Sequence, residues 1–172
     1  DSKTGTIERI DGPYKALRGF EKIKKYIESW PGGFFLPGNE NVSLPFVPVD
    51  IAASAIVSMM NVGLNNLQPN YFSYHITPEK GVRLRDFYNS IMHHLSFSKC
   101  EYTLVKELPK ELTATLASKL FEFPKEQLRY ALNLPDYSSI ETTQVLGEDW
   151  CPEFSNYESI FWSGYEKFIS NS

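Results

Sequence analysis

The stretch SLPFVPVDIAASAIVSMM, Ser43 to Met60, sets an apolar, proline-stiffened run against a row of small and apolar residues, with Asp50 at the junction. Pro45 and Pro48 disfavour helix before them and remove backbone donors from any sheet, so the run up to Val49 is expected to be short and extended. From Ile51 to Met60 only Ser54 and Ser58 are polar, and alanine and methionine favour helix. A carboxylate at Asp50 is placed to accept the orphan N–H groups of a first helical turn. The stretch therefore predicts an extended piece, an N-cap at Asp50, and a helix buried on most sides.

The same reasoning extends outward. From Pro13 to Trp30, Ala16, Phe20, Ile23, Ile27 and Trp30 recur at spacings of four, three, four and three, which is one face of a helix. Pro31, Gly32 and Gly33 stop it. Phe34–Gly38 and Val42–Val49 read as short extended segments around a turn at Asn39–Asn41. Beyond the helix of the opening stretch, expected to end near Gly63, Asn70–Ile76 alternates aromatic and polar residues as a strand does. Leu84, Phe87, Tyr88, Ile91 and Leu95 mark a further amphipathic helix, and Cys100–Leu108 alternates again. Leu112, Leu116 and Leu120 form another helical stripe, and Pro124 suits the first position of the helix after it. Ser138 with Glu141, and Ser155 with Glu158, have the spacing of capping boxes. The first opens a short helix that Gly147 closes. The second opens a last helix with Tyr157, Ile160, Phe161, Gly164, Tyr165 and Phe168 on its buried stripe. The expected class is α+β, helix-rich with a few short strands, in a single 172-residue domain.

Composition narrows the function classes. A hydrophobic fraction of 42% with 22% charged residues suits a folded globular chain. Aromatic residues make up 15%, which fits a thick core, an apolar ligand or a partner surface equally. A net charge of −4 argues against nucleic acid as a partner, and Lys22, Lys24 and Lys25 read as the solvated face of a helix. Two cysteines, Cys100 and Cys151, give no disulfide framework, so a reduced, cytoplasmic setting is expected. No apolar run reaches the length of a membrane span. No signal peptide is evident, and the start at Asp1 suggests a processed or trimmed product.

Little in the chain reads as catalysis. His93 and His94 are adjacent, so on a helix they point about 100° apart, and neither they nor His75 stand at zinc-ligand spacing from other donors. No metal is expected. There is no G-x-S-x-G elbow, phosphate loop or G-x-G-x-x-G. Tyr102 and Lys106 have the Y-x-x-x-K spacing that pairs a tyrosine with a lysine on a helix, where four residues rise ~6 Å on one face. Here they fall on a predicted strand, where the same spacing spans ~13 Å, so they are not assigned as a catalytic pair.

Three motifs together resemble one family. The opening DSKTGTIERIDGPY, Asp1–Tyr14, resembles the segment that follows the catalytic helix in extended short-chain dehydrogenases/reductases, of the thioester-reductase and fatty acyl-CoA reductase branch. FVPVD, Phe46–Asp50, followed by a small-residue helix, is a second mark. CPEFSNYESIF, Cys151–Phe161, after SIETTQVL, Ser139–Leu146, is similar to the family's helical ending. The resemblance covers the C-terminal, substrate-binding half of such an enzyme. It implies that the Rossmann core lies outside this chain, with the glycine-rich loop, the catalytic serine or threonine and the Tyr–Lys pair.

On that resemblance Asp1, Ser2, Thr4 and Gly5 lie at the mouth of the cofactor and substrate cleft. Phe46, Val47 and Pro48 run beside the pocket, and Asp50 caps the helix that packs on the dinucleotide-binding domain. Tyr14, with Phe34, Phe35 and Phe46, would suit a long acyl chain, though each also reads as core. The implied function is the substrate wall and lid of an NADP- or NAD-dependent reductase of a thioester, acyl or aldehyde substrate, inactive without its other half. The implied partners are the Rossmann half and that small-molecule substrate. The competing readings are a freestanding ligand- or protein-binding domain of the same ancestry and a helical interaction module.

Overall fold

The computed structural model describes residues 1–29, 32–65, 73–98, 101–106, 135 and 137–171. Its residues pack as two compact units, Asp1–Glu8 with Pro45–Val82 and Asp136–Ser172, and Arg9–Leu44 with Arg83–Pro135. The described residues are helix-rich with a few short strands, as expected of the α+β class. The sequence stripe Leu112–Leu120, Pro124, Trp30, Pro31, residues 70–72 of the expected strand Asn70–Ile76, and residue 100 with residues 107–108 of the expected strand Cys100–Leu108 lie outside the described residues.

The second unit is built on α1 (Pro13–Ser29) and α3 (Leu84–His94). Leu17, Phe20, Phe87, Ile91 and Met92 are buried between the two, each almost fully. The stripe read from Ala16 to Ile27 faces inward, and Leu17, beside it, is the residue the spacing missed. The Phe20 ring meets Tyr88 at 5.5 Å and Phe97 edge-on at 6.2 Å, geometries that aromatic quadrupoles favour. Of the lysine cluster, Lys22 and Lys25 face solvent, but the Lys24 ammonium donates to the carbonyl of Leu95 at the end of α3 and sits 5.8 Å over Phe97. A cation there satisfies an orphan helical carbonyl and the dipole together.

Beside these helices β1 (Phe34–Pro37) pairs in parallel with β2 (Tyr102–Val105), Phe34 against Tyr102 through Pro37 against Val105. The expected turn follows β1: Val42 N–H donates to Asn39 O and the Asn41 amide to the Asn39 side chain. The Tyr88 hydroxyl donates to Pro37 O at 2.9 Å, and burial raises its pKa far above the ordinary phenol value. Tyr102 stands on a strand, as the alternation predicts. Its hydroxyl donates to Asn89 Oδ1 at 2.8 Å, with the Arg85 carbonyl 3.1 Å away, so its polar end serves the fold.

The first unit holds α2 (Val49–Asn65), α4 (Ile140–Leu146), a 3₁₀ turn at Phe154–Asn156 and α5 (Glu158–Ser170). Four expectations are corrected here. The helix α2 is not buried on most sides: among its described side chains Ala55 alone is buried, with Ile51, Ala52 and Met59 half-covered, while Val49, Ile56, Val57 and Met60 are exposed. Apolar composition states that a surface favours cover, not that the same chain supplies it. Ser73–Ile76 forms no ladder; instead the Thr142 hydroxyl donates to His75 O at 2.7 Å, because an extended segment without a strand beside it must bond elsewhere.

The two capping boxes also do not close as read. At α4 the cap position is Ser139, one residue later than Ser138, and its own side chain makes no cap bond, although the Ser138 hydroxyl accepts from the Ile140 N–H at 3.4 Å; Gly147 does end the helix, at φ +92°. At α5 the cap is Tyr157, because the 3₁₀ turn draws Ser155 into itself: Asn156 N–H donates to Glu153 O and Tyr157 N–H to Phe154 O. The stripe from Tyr157 to Phe168 does face the unit's interior, together with Trp162.

Truncating Phe20, which is fully buried, to alanine is expected to cost about 3–5 kcal/mol in urea unfolding. Lys25→Ala on the exposed side of α1 is expected to stay within about 0.5 kcal/mol of the parent chain.

Candidate functional site

Residues 1–8 of the opening motif meet the other two motifs within the first unit. Gly5 at φ +68° and a turn from the Asp1 carbonyl to the Gly5 N–H bend the opening segment back on itself. The Asp1 carboxylate braces this turn, accepting from the Thr4 N–H at 2.7 Å, the Thr4 hydroxyl at 2.9 Å and the Lys3 N–H at 3.0 Å. An aspartate followed by small polar residues does this by its own short side chain. Asp1 and Thr4 are exposed, and the Thr4 hydroxyl also lies 2.8 Å from that of Thr6.

Ser2 joins the opening motif to the second one. Its N–H donates to Asp50 Oδ1 at 2.8 Å and its hydroxyl to Asp50 Oδ2 at 2.6 Å, across 48 positions of sequence. The helix begins two residues earlier than an Asp50 cap requires. Pro48 O accepts the first helical bond from the Ala52 N–H at 2.9 Å, so Pro48 takes the cap position and Asp50 lies in the first turn. Its carboxylate still sits at the positive end of α2, where charge is favoured. Burial pulls the Asp50 pKa up, but the bonds from the Ser2 hydroxyl and N–H and from the amides of residues 50 and 51 outweigh it, and the net shift is downward.

Phe46 joins the second motif to the third. Its ring lies 5.7 Å from Phe154 and stacks at 6.2 Å on Phe161, within a cluster that runs on to Tyr157 and Trp162. Pro48 is buried and Val47 half-buried. Phe46 is thus a packing residue of an aromatic core. The α5 helix in turn meets the opening motif at Gly164. A Cβ on Gly164 would lie 1.8 Å from Gly5 O, and one on Gly5 would lie 2.4 Å from Ile160 O, so neither position admits a side chain without backbone movement.

Tyr14 stands apart from this group, on α1 in the second unit, with burial pushing its phenol up to about 12. Phe34 and Phe35 belong to the second unit as well, Phe35 being exposed. Sequence reasoning named Ser2, Gly5, Phe46 and Asp50 but not the pairings among them. The signal for Gly5 against Gly164 was there as a glycine inside the apolar stripe of the last helix.

What the site can do follows from what it contains. Among the described residues no group of three His, Cys, Asp or Glu could hold a metal ion. The Cys151 thiol is half-buried and pushed up to about 11 by burial, the reverse of an activated nucleophile. An open cleft of about 260 Å³ runs between Thr6 and Ile7 on one side and Lys167, Phe168 and Asn171 on the other, with Gly5 and Gly164 at its floor. Nor is any helix of the described residues long and apolar enough to cross a membrane.

Comparison of the chain with protein-family models, with curated proteins and with solved structures found no match.

Gly164→Ala is expected to destabilise the chain by about 1–3 kcal/mol, because the added methyl meets backbone rather than a movable side chain. Gly63→Ala, in open space within α2, is expected to stabilise it by about 0.5–1 kcal/mol. Thermal melts of the two variants give opposite signs. For Asp50 the lowered folded pKa means that its contribution is present above the unfolded value of 3.8 and is lost as pH falls through the folded one. Asp50→Asn should therefore cost about 1 kcal/mol at neutral pH, and the difference should shrink in urea titrations as the pH falls below 3.8.

Proposed function

We propose that this chain is the substrate-binding part of an NAD(P)H-dependent reductase of the extended short-chain class, acting on a thioester, acyl or aldehyde substrate. The observation that carries this reading is the convergence of its three motifs. The two hydrogen bonds from Ser2 to Asp50, the Phe46 contacts to Phe154 and Phe161, and the Gly5–Gly164 approach bring segments far apart in sequence into one unit. In this reading the dinucleotide sits on a Rossmann half supplied by other residues, and the bound nicotinamide supplies the hydride. The present residues form the wall and lid that receive the acyl group, and the cytoplasm is their setting.

The exposed side of α2 supports the same reading. Val49, Ala53, Ile56 and Met60 follow one another at spacings of four, three and four, and no charged residue occurs from Ile51 to Asn65. That is the spacing of a seam that packs against another element. The helix of 17 residues is about 25 Å long, and a face ~10 Å wide offers roughly 250 Å². A stable interface takes about 800 Å² from each partner, so this face suits one part of a broad contact with the Rossmann half rather than a dimer held by α2 alone.

The test is expression of the natural reading frame containing these residues with whatever precedes Asp1, assayed for NADPH oxidation with acyl thioesters and long-chain aldehydes. Substrate-dependent oxidation is expected from that protein, and no saturable NADPH binding at micromolar concentration from residues 1–172 alone. A longer protein that neither binds nor oxidises NADPH overturns the proposal and leaves a freestanding ligand- or protein-binding domain. Replacing Ile56 and Met60 together by glutamate is expected to leave the melting of residues 1–172 nearly unchanged, since both side chains are exposed, while abolishing reductase activity in the longer protein.

A further inference from the structure

We draw no further inference here: the strongest candidate, the open cleft between residues 5–7 and the last turns of α5, carries nothing further because its polar side chains, Thr6, Lys167 and Asn171, are all exposed and no buried polar group points to a ligand within it.

Discussion

Two glycines carry the constraint on which the first unit depends. The backbone of Gly5 and the backbone of Gly164 approach so closely that a single Cβ on either would overlap a carbonyl oxygen. This contact places the opening turn on the last helix. The rest of the unit is then compatible with one arrangement: Ser2 reaches the carboxylate of Asp50, and Phe46 enters the ring cluster of Phe154, Phe161 and Trp162. The contact itself is non-directional packing, whereas the Ser2–Asp50 pair is directional. Together they hold both the spacing and the register of the three segments.

The second unit is stabilised differently. Its core is the meeting of α1 and α3 around Phe20 and Ile91, with a short parallel ladder beside it. Its polar groups are taken up locally: Tyr88 by Pro37, Tyr102 by Asn89, and the end of α3 by Lys24. Each of these removes a side chain from the set of candidate reactive groups. A tyrosine whose pKa is raised by burial and whose hydroxyl donates to a backbone carbonyl is a poor proton donor for a substrate. The polar ends of Tyr88, Tyr102 and Lys24 are thus committed to the structure of this unit.

How far the candidate site could be read from sequence differs residue by residue. Asp50 was identified by its position between an extended run and a helix, and it does lie at the helix start. Its partner could not be read, because Ser2 is 48 positions away and nothing in local patterning links them. Phe46 was readable only as apolar, so substrate wall and core were indistinguishable until its ring was placed against Phe154 and Phe161. Tyr14 was grouped with the opening motif because it is near in sequence, yet it begins α1 in the other unit.

Periodicity in this chain determined which segments are helices and which residues face inward on α1, α3 and α5, because the 3.6-residue repeat acts locally through side-chain burial. Proline and glycine determined one end each of α1, α2 and α4, at Pro13, Pro48 and Gly147, because their backbone limits are intrinsic to the residue. Three things were decided by tertiary structure alone. The capping box before α5 gave way to a backbone solution once the 3₁₀ turn took up Ser155. The alternating run Ser73–Ile76 found a helix hydroxyl rather than a strand. The apolar helix α2 kept one face in solvent, because burial is a property of pairs of surfaces and a single segment's composition specifies only one of them.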